Sequence, residues 1–120
     1  MTVQQLNTSI VRVSADNFES IVLKSPVPVL VDVSATWCAP CKVARPVVAA
    51  LAHTHQGRLQ VVEIDGDESP ELVERLGVRG FPTFLGVYGG EVVERRVGFG
   101  GRRALDELAT ALVERNAAPA

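Results

Sequence analysis

Residues 29–34 read Val-Leu-Val-Asp-Val-Ser, and residues 59–64 read Leu-Gln-Val-Val-Glu-Ile. Both runs are rich in β-branched residues and almost continuously apolar, which suits strands covered on both faces. A sheet covered on both faces needs helices on both sides of it. The rest of the chain supplies them. Residues 9–13 alternate weakly and read as a short strand. Ser14 is placed to cap a helix reaching about residue 24, with Phe18, Ile21 and Val22 on one face, and Pro26 and Pro28 end it. From Pro40 onward Val43, Val47, Val48 and Leu51 follow a helical pattern, with Gly57 as the stop and Pro46 expected to kink the helix. Ser69 and Pro70 form a cap and a first-turn proline that open a short helix ending at Gly77. Residues 81–88 and 91–97 are strands joined across Gly89-Gly90, a hairpin signal. A last helix spans about residues 102–115 with Leu105, Leu108, Ala109 and Leu112 facing inward, and residues 116–120 are expected to fray. The order βαβαβαββα predicts an α/β fold whose partly parallel sheet closes with an antiparallel pair.

The chain has 120 residues, enough for one domain over residues 1–120, and 47% of them are hydrophobic. That supports a core without metals or structural disulfides. The formal net charge is −2, with acids and bases interspersed, which argues against nucleic acid as the main partner. The most apolar segment, residues 27–33, is broken by Pro28 and Asp32 and is far short of the ~20 residues a membrane span needs. Residues 1–9 are polar, without a basic stretch followed by a long apolar run, so no export signal is expected there. The expected location is a reducing cytoplasm, where structural disulfides are rare. The chain's two cysteines, Cys38 and Cys41, therefore call for another explanation.

They flank Ala39-Pro40 at the junction between the first buried strand and the kinked helix. A thiolate, not a thiol, attacks a disulfide, and a helix start offers free backbone donors and partial positive charge. Cys38 lies at that start, so its thiolate should be stabilised; Cys41 lies one turn further in and should be more shielded. Two intervening residues let the sulfurs meet across a tight turn that Pro40 stiffens. Cys-x-x-Cys near a βαβ pattern reads as a redox pair. The other readings are half a zinc site, completed by His53 and His55, or an inert buried pair. His-x-His is not the usual ligand spacing, and Trp37 and Pro40 do not suggest a metal loop. Asp32 is the second informative residue. A carboxylate inside an apolar strand is costly unless paired or neutralised, and burial raises its pKa. It is either hydrogen-bonded to backbone at a strand end or, because its strand leads straight into the cysteines, a proton handler for Cys41.

The segments Leu30-Val31-Asp32 and Trp37-Cys38-Ala39-Pro40-Cys41-Lys42, with Pro46 beyond them, resemble thioredoxin. So do Gly77-Val78-Arg79-Gly80-Phe81-Pro82-Thr83, Gly89-Gly90-Glu91-Val92 and Val97-Gly98. The resemblance runs in order from about residue 9 to residue 112. It implies the thioredoxin fold, a central mixed five-stranded sheet flanked by four helices, and a cis bond between Phe81 and Pro82. Proline is the residue for which that isomer is cheap; the sequence alone would make Pro82 a strand-edge proline. By the same resemblance Cys38 attacks a substrate disulfide. Cys41, deprotonated with help from Asp32, resolves the mixed disulfide. Trp37, Ala39, Pro40, Gly80, Phe81, Pro82 and Gly98 shape the docking surface. No bound cofactor and no metal are implied, since the Cys38–Cys41 pair is itself the redox group. The implied partners are disulfide-containing proteins and a flavin-dependent, NADPH-using thioredoxin reductase, with the chain acting as a monomer.

Four positions depart from the family pattern. Ala39 replaces the glycine usual between the cysteines and narrows backbone freedom. Ser34 stands in place of a tryptophan, removing part of an apolar wall behind the site. Glu63 replaces a lysine beside the buried aspartate, so it either favours the neutral form of Asp32 or turns to solvent. Gly86 falls inside a strand and should weaken it. None removes a reacting group, and the expectation is a protein disulfide reductase. The alternatives are a disulfide-donating oxidase or isomerase, motivated by Glu63 and Ala39, and a binding module with incidental cysteines, motivated by Ser34.

Overall fold

Alternate residues of the two buried runs point to opposite sides of one sheet, and that alternation organises the molecule. The computed structural model describes residues 10–117. Its strands are β1 (Ile10–Arg12), β2 (Val29–Ser34), β3 (Gln60–Asp65), β4 (Thr83–Tyr88) and β5 (Glu91–Val97). Its helices are α1 (Glu19–Leu23), α2 (Ala39–Thr54), α3 (Pro70–Arg75) and α4 (Arg102–Ala117). The sheet order is β1-β3-β2-β4-β5, with β1, β3 and β2 parallel and β4 and β5 antiparallel. Val29, Val31, Val33, Val62 and Ile64 pack with Phe18, Val22 and Leu72 on the α1 and α3 side. Leu30, Val61 and Phe84 pack with Val48, Leu51, Leu108 and Leu112 on the α2 and α4 side. The mixed five-stranded sheet with four flanking helices is therefore present in the expected order.

Three local expectations change. The helix expected from Ser14 is a single π-helical turn, and the side chain that caps its approach is Asn17, whose Oδ1 accepts the Ser14 amide at 2.8 Å. Ser69 holds the N-cap position of α3 without a side-chain bond; Asp65 instead accepts the amides of Asp67 and Glu68 just upstream. α4 continues through Asn116 and Ala117, because Asn116 accepts a hydrogen bond from the Tyr88 hydroxyl at 2.9 Å. Residues 118–120 of the expected tail, like Ser9 of the first strand, lie outside the described residues.

Several signals hold as read. Gly77 ends α3 at φ +68°, with Gly77 donating to the Glu74 carbonyl and Val78 to that of Val73, a Schellman closure. Gly89 and Gly90 both have positive φ, as the tightest hairpin turn demands. Gly86 has a packing reason that its strand position hides. A β-carbon there would stand 2.5 Å from a Leu112 methyl and 3.0 Å from the Glu94 β-carbon, so its absence lets α4 lie close on the sheet.

Candidate active site

β2 ends at Ser34, and a short turn delivers Cys38 to the N-cap of α2. The Cys38 amide donates to the Ala35 carbonyl at 3.2 Å, and the residue keeps an extended backbone, φ −88° and ψ 112°. Its Sγ accepts the Cys41 amide hydrogen at 3.2 Å, and its carbonyl accepts from Lys42 at 3.3 Å. A sulfur here occupies the place that a serine or aspartate oxygen takes in an ordinary cap. Pro40 lies in the first turn, where a missing amide hydrogen leaves nothing unpaired. Cys38 and Cys41 are joined as a disulfide, with their α-carbons 5.3 Å apart. The expected difference in shielding is not present: Cys38 is 4% and Cys41 6% exposed. Phe81 packs against the small buried cluster formed by Ala35, Cys38 and Cys41. Ala39 adopts no left-handed conformation, so the methyl in place of glycine imposes no backbone strain.

Of the residues expected to form a docking surface, Phe81 packs against the cysteine cluster and Trp37 packs against Phe81. The Phe81–Pro82 bond is cis. Gly98 donates to the Pro82 carbonyl at 2.7 Å, which ties the end of β5 to the segment before β4, and the Thr83 hydroxyl donates to the Gly80 carbonyl at 2.7 Å within that same stretch of chain. Trp37 is 67% exposed, yet its ring is held on two sides. Its Nε1 donates to Asp67 at 3.0 Å, and it meets the Phe81 ring edge-on with centroids 5.8 Å apart.

Asp32 lies behind this surface, on the α2 and α4 side of β2, and is 2% exposed. Sheet register places Glu63 of β3 on one side of it and Phe84 of β4 on the other. Burial pushes its carboxyl up to about 6, the Ser34 hydrogen bond opposes that rise, the Glu63 charge adds to it and the Arg45 charge opposes it. Ser34 therefore does more than leave a gap: its hydroxyl donates to Asp32 Oδ1 at 2.6 Å. Glu63 does not turn to solvent. It is 6% exposed and clamped between Arg45 at 2.7 Å and its β1 neighbour Arg12 at 3.0 Å. A cavity of about 280 Å³ opens beside this cluster, lined by Arg12, Ser34, Cys41, Lys42, Arg45 and Glu63 among others.

Arg12, Arg45 and Asp67 escaped the sequence reading. A signal for the arginines existed: a glutamate in an apolar strand needs a cationic partner, and Arg45 stands one helical turn beyond Cys41. Nothing local pointed to Asp67. His53 and His55 stand at the far end of α2, roughly 18 Å along the axis from Cys41 at 1.5 Å per residue. Among the described residues no three metal-ligating side chains cluster, and no helix is long and apolar enough to cross a membrane.

Comparison with known proteins bears directly on this geometry. Residues 9–114 match the Thioredoxin family model. The chain is 47% identical over 90 residues to a thioredoxin of Allochromatium vinosum, covering 75% of this chain and 84% of that protein. It is 46% identical over 80 residues to a thioredoxin of Thiocapsa roseopersicina, covering 67% and 88%. With thioredoxin 1 of Nostoc sp. it shares 40% identity over 87 residues, covering 72% and 81%. A redox pair capping a helix is the working part of a thiol–disulfide reductase, and with these relatives the chain belongs to the thioredoxin family.

Proposed function

We propose that Cys38 is the attacking thiol, Cys41 the resolving thiol and Asp32 the group that takes the Cys41 proton. The observation that carries this reading is the cap itself: Cys38 Sγ receives the Cys41 amide at the head of a 16-residue helix. In the reduced protein that donor and the helix dipole favour the thiolate of Cys38 over that of Cys41. Cys38 Sγ forms a bond to one sulfur of a substrate disulfide, and the other substrate sulfur leaves as thiolate and takes up a proton. Cys41 then loses its proton and attacks Cys38 Sγ. The Cys38–Cys41 disulfide forms, the second substrate thiol is released, and two electrons have passed to the substrate.

Asp32 suits the proton step because a base with a pKa near neutrality is ionised yet still basic enough to act. Cys41 lines the cavity together with Ser34, which donates to the Asp32 carboxyl, and Glu63, the neighbour of Asp32 across the sheet. Trp37, Ala39, Pro40, Gly80, Phe81, Pro82 and Gly98 form the surface on which a disulfide-bearing protein docks. Recharging falls to an NADPH-dependent thioredoxin reductase, no bound cofactor is needed, and the chain works as a monomeric single domain in the cytoplasm. Neither motive for a disulfide donor survives strongly. The Glu63 charge is held by two arginines, and Ala39 lies in an unstrained backbone.

The test is insulin reduction driven by NADPH and a thioredoxin reductase. Cys38→Ser should abolish turnover, and Cys41→Ser should accumulate mixed disulfides visible on a non-reducing gel. Normal turnover by Cys38→Ser would remove the reading.

A further inference from the structure

Gly66 follows β3, and its amide donates to the Ser34 carbonyl at 2.7 Å, at the end of β2. Its φ lies outside the left-handed region, so an alanine would suffer no backbone strain there. What forbids a side chain is Phe81. A β-carbon on Gly66 would stand 2.5 Å from both Cε1 and Cζ of the Phe81 ring, and 3.3 Å from the Ser34 carbonyl oxygen. Real β-carbons do not approach that closely. Two neighbours could yield, and they are unequal. The Gly66 backbone is pinned to the end of β2, the segment that carries the chain into the disulfide turn. The ring is half-buried and can swing about its own side-chain torsions. An added methyl would therefore move the ring and leave the sheet where it is.

The ring's position matters because of its other contacts. The same ring packs against the cluster of Ala35, Cys38 and Cys41 and stands roughly perpendicular to the Trp37 ring, centroids 5.8 Å apart. We propose that Gly66 is the positioning residue of the docking surface. Its bare α-carbon is the floor on which the Phe81 ring lies, and it fixes both the packing against the cysteine cluster and the orientation of Trp37. The surface so formed presents two aromatic rings with the exposed Trp37 uppermost, which suits substrates carrying a large apolar side chain beside the reacting cysteine. This inference rests on the reading that Phe81 belongs to the docking surface, and the experiment separates the two.

Gly66→Ala, Phe81→Ala and the double variant are compared in dithiothreitol-driven insulin reduction, with KM and kcat resolved, and with Ellman's reagent as a small disulfide that needs no docking. Displacing one aromatic contact should raise KM for insulin about three- to ten-fold, a larger factor than either variant's change in the rate on Ellman's reagent. In the Phe81→Ala background the Gly66 substitution should add nothing, since its methyl then meets no ring. Trp37 fluorescence should shift in Gly66→Ala as the edge contact is lost. If Phe81→Ala raises KM but Gly66→Ala does not, the Gly66 inference is overturned and the docking reading stands. If Phe81→Ala leaves KM unchanged, the docking reading fails and takes the inference with it. An equal rise from Gly66→Ala in both backgrounds overturns the inference too, because the ring is then not the intermediary. Should Gly66→Ala melt too low to assay, thermal midpoints give the same decision. Recovery of the fold in the double variant supports the ring clash, and no recovery contradicts it.

Discussion

Replacing Asp32 by Asn should stabilise the oxidised protein, and the gain should depend on pH in a defined way. In the folded chain the Asp32 carboxyl is raised from 3.8 to about 6, chiefly by burial. In the unfolded chain it returns to the ordinary value. Below pH 3.8 both states hold the proton and the residue costs nothing. Between 3.8 and 6 the folded state keeps a proton that the unfolded state has lost, so stability falls as pH rises, at about 1.4 kcal/mol per pH unit. Above 6 the folded carboxylate is charged and buried, and the full penalty, roughly 3 kcal/mol at ~1.36 kcal/mol per tenfold in proton affinity, is in place. Asn retains a carbonyl to accept the Ser34 hydroxyl and carries no charge. At pH 7.5 the variant should thus be more stable by about 2–3 kcal/mol, a rise in Tm on the order of 10 °C for a domain of this size. At pH 4 the two proteins should nearly coincide. Urea unfolding of the oxidised forms from pH 4 to 8 measures this, and subtracting one curve from the other cancels the titration of every other group. A variant no more stable at pH 7.5, or a difference that does not grow between pH 4 and 6, would refute the account of Asp32 as a buried carboxylate of raised pKa.

The neighbours of Asp32 should move its titration in opposite directions. Glu63→Gln removes a charge that favours the proton and should lower the Asp32 midpoint, whereas Ser34→Ala removes a hydrogen bond to the carboxylate and should raise it. Carbon-13 NMR of the labelled side chain against pH reads both. Gly86→Ala should cost about 1–3 kcal/mol in urea unfolding through overpacking against Leu112, and Leu112→Val in the same chain should recover part of it. Cys41 alkylation rates should be unchanged in that variant, since Gly86 is in β4 and its clash is with α4.

The fold was legible where local chemistry decides it. The runs at Val29–Ser34 and Gln60–Asp65 announce buried strands, Gly77 announces a helix stop, and Gly89-Gly90 announces a hairpin. The dithiol was legible because its spacing and its place before a helix carry their own mechanism. Long-range partnerships were not legible. Glu63 stands between Arg12 and Arg45, which are far from it in the chain and meet it only once β1, β3 and α2 are assembled. Ser34 read as a loss of apolar cover, and only the geometry shows its hydroxyl on Asp32. Gly86 read as a weak point, and its value is set by Leu112 on a helix more than twenty residues later. The length of α1 was misread because the helical spacing of Phe18, Ile21 and Val22 is satisfied by a single wide turn. In each case the deciding contact crosses between elements, which a pattern along one segment does not contain.

The charge state of Cys38 in the reduced protein decides the enzymatic account. Iodoacetamide alkylation at a series of pH values, with mass spectrometry assigning the modified cysteine, measures it. Capping of α2 by the Cys38 sulfur requires that Cys38 react first, with a midpoint clearly below that of Cys41. A Cys38 that becomes reactive only near ~8.5, the value of an unassisted thiol, or that reacts after Cys41, would contradict it.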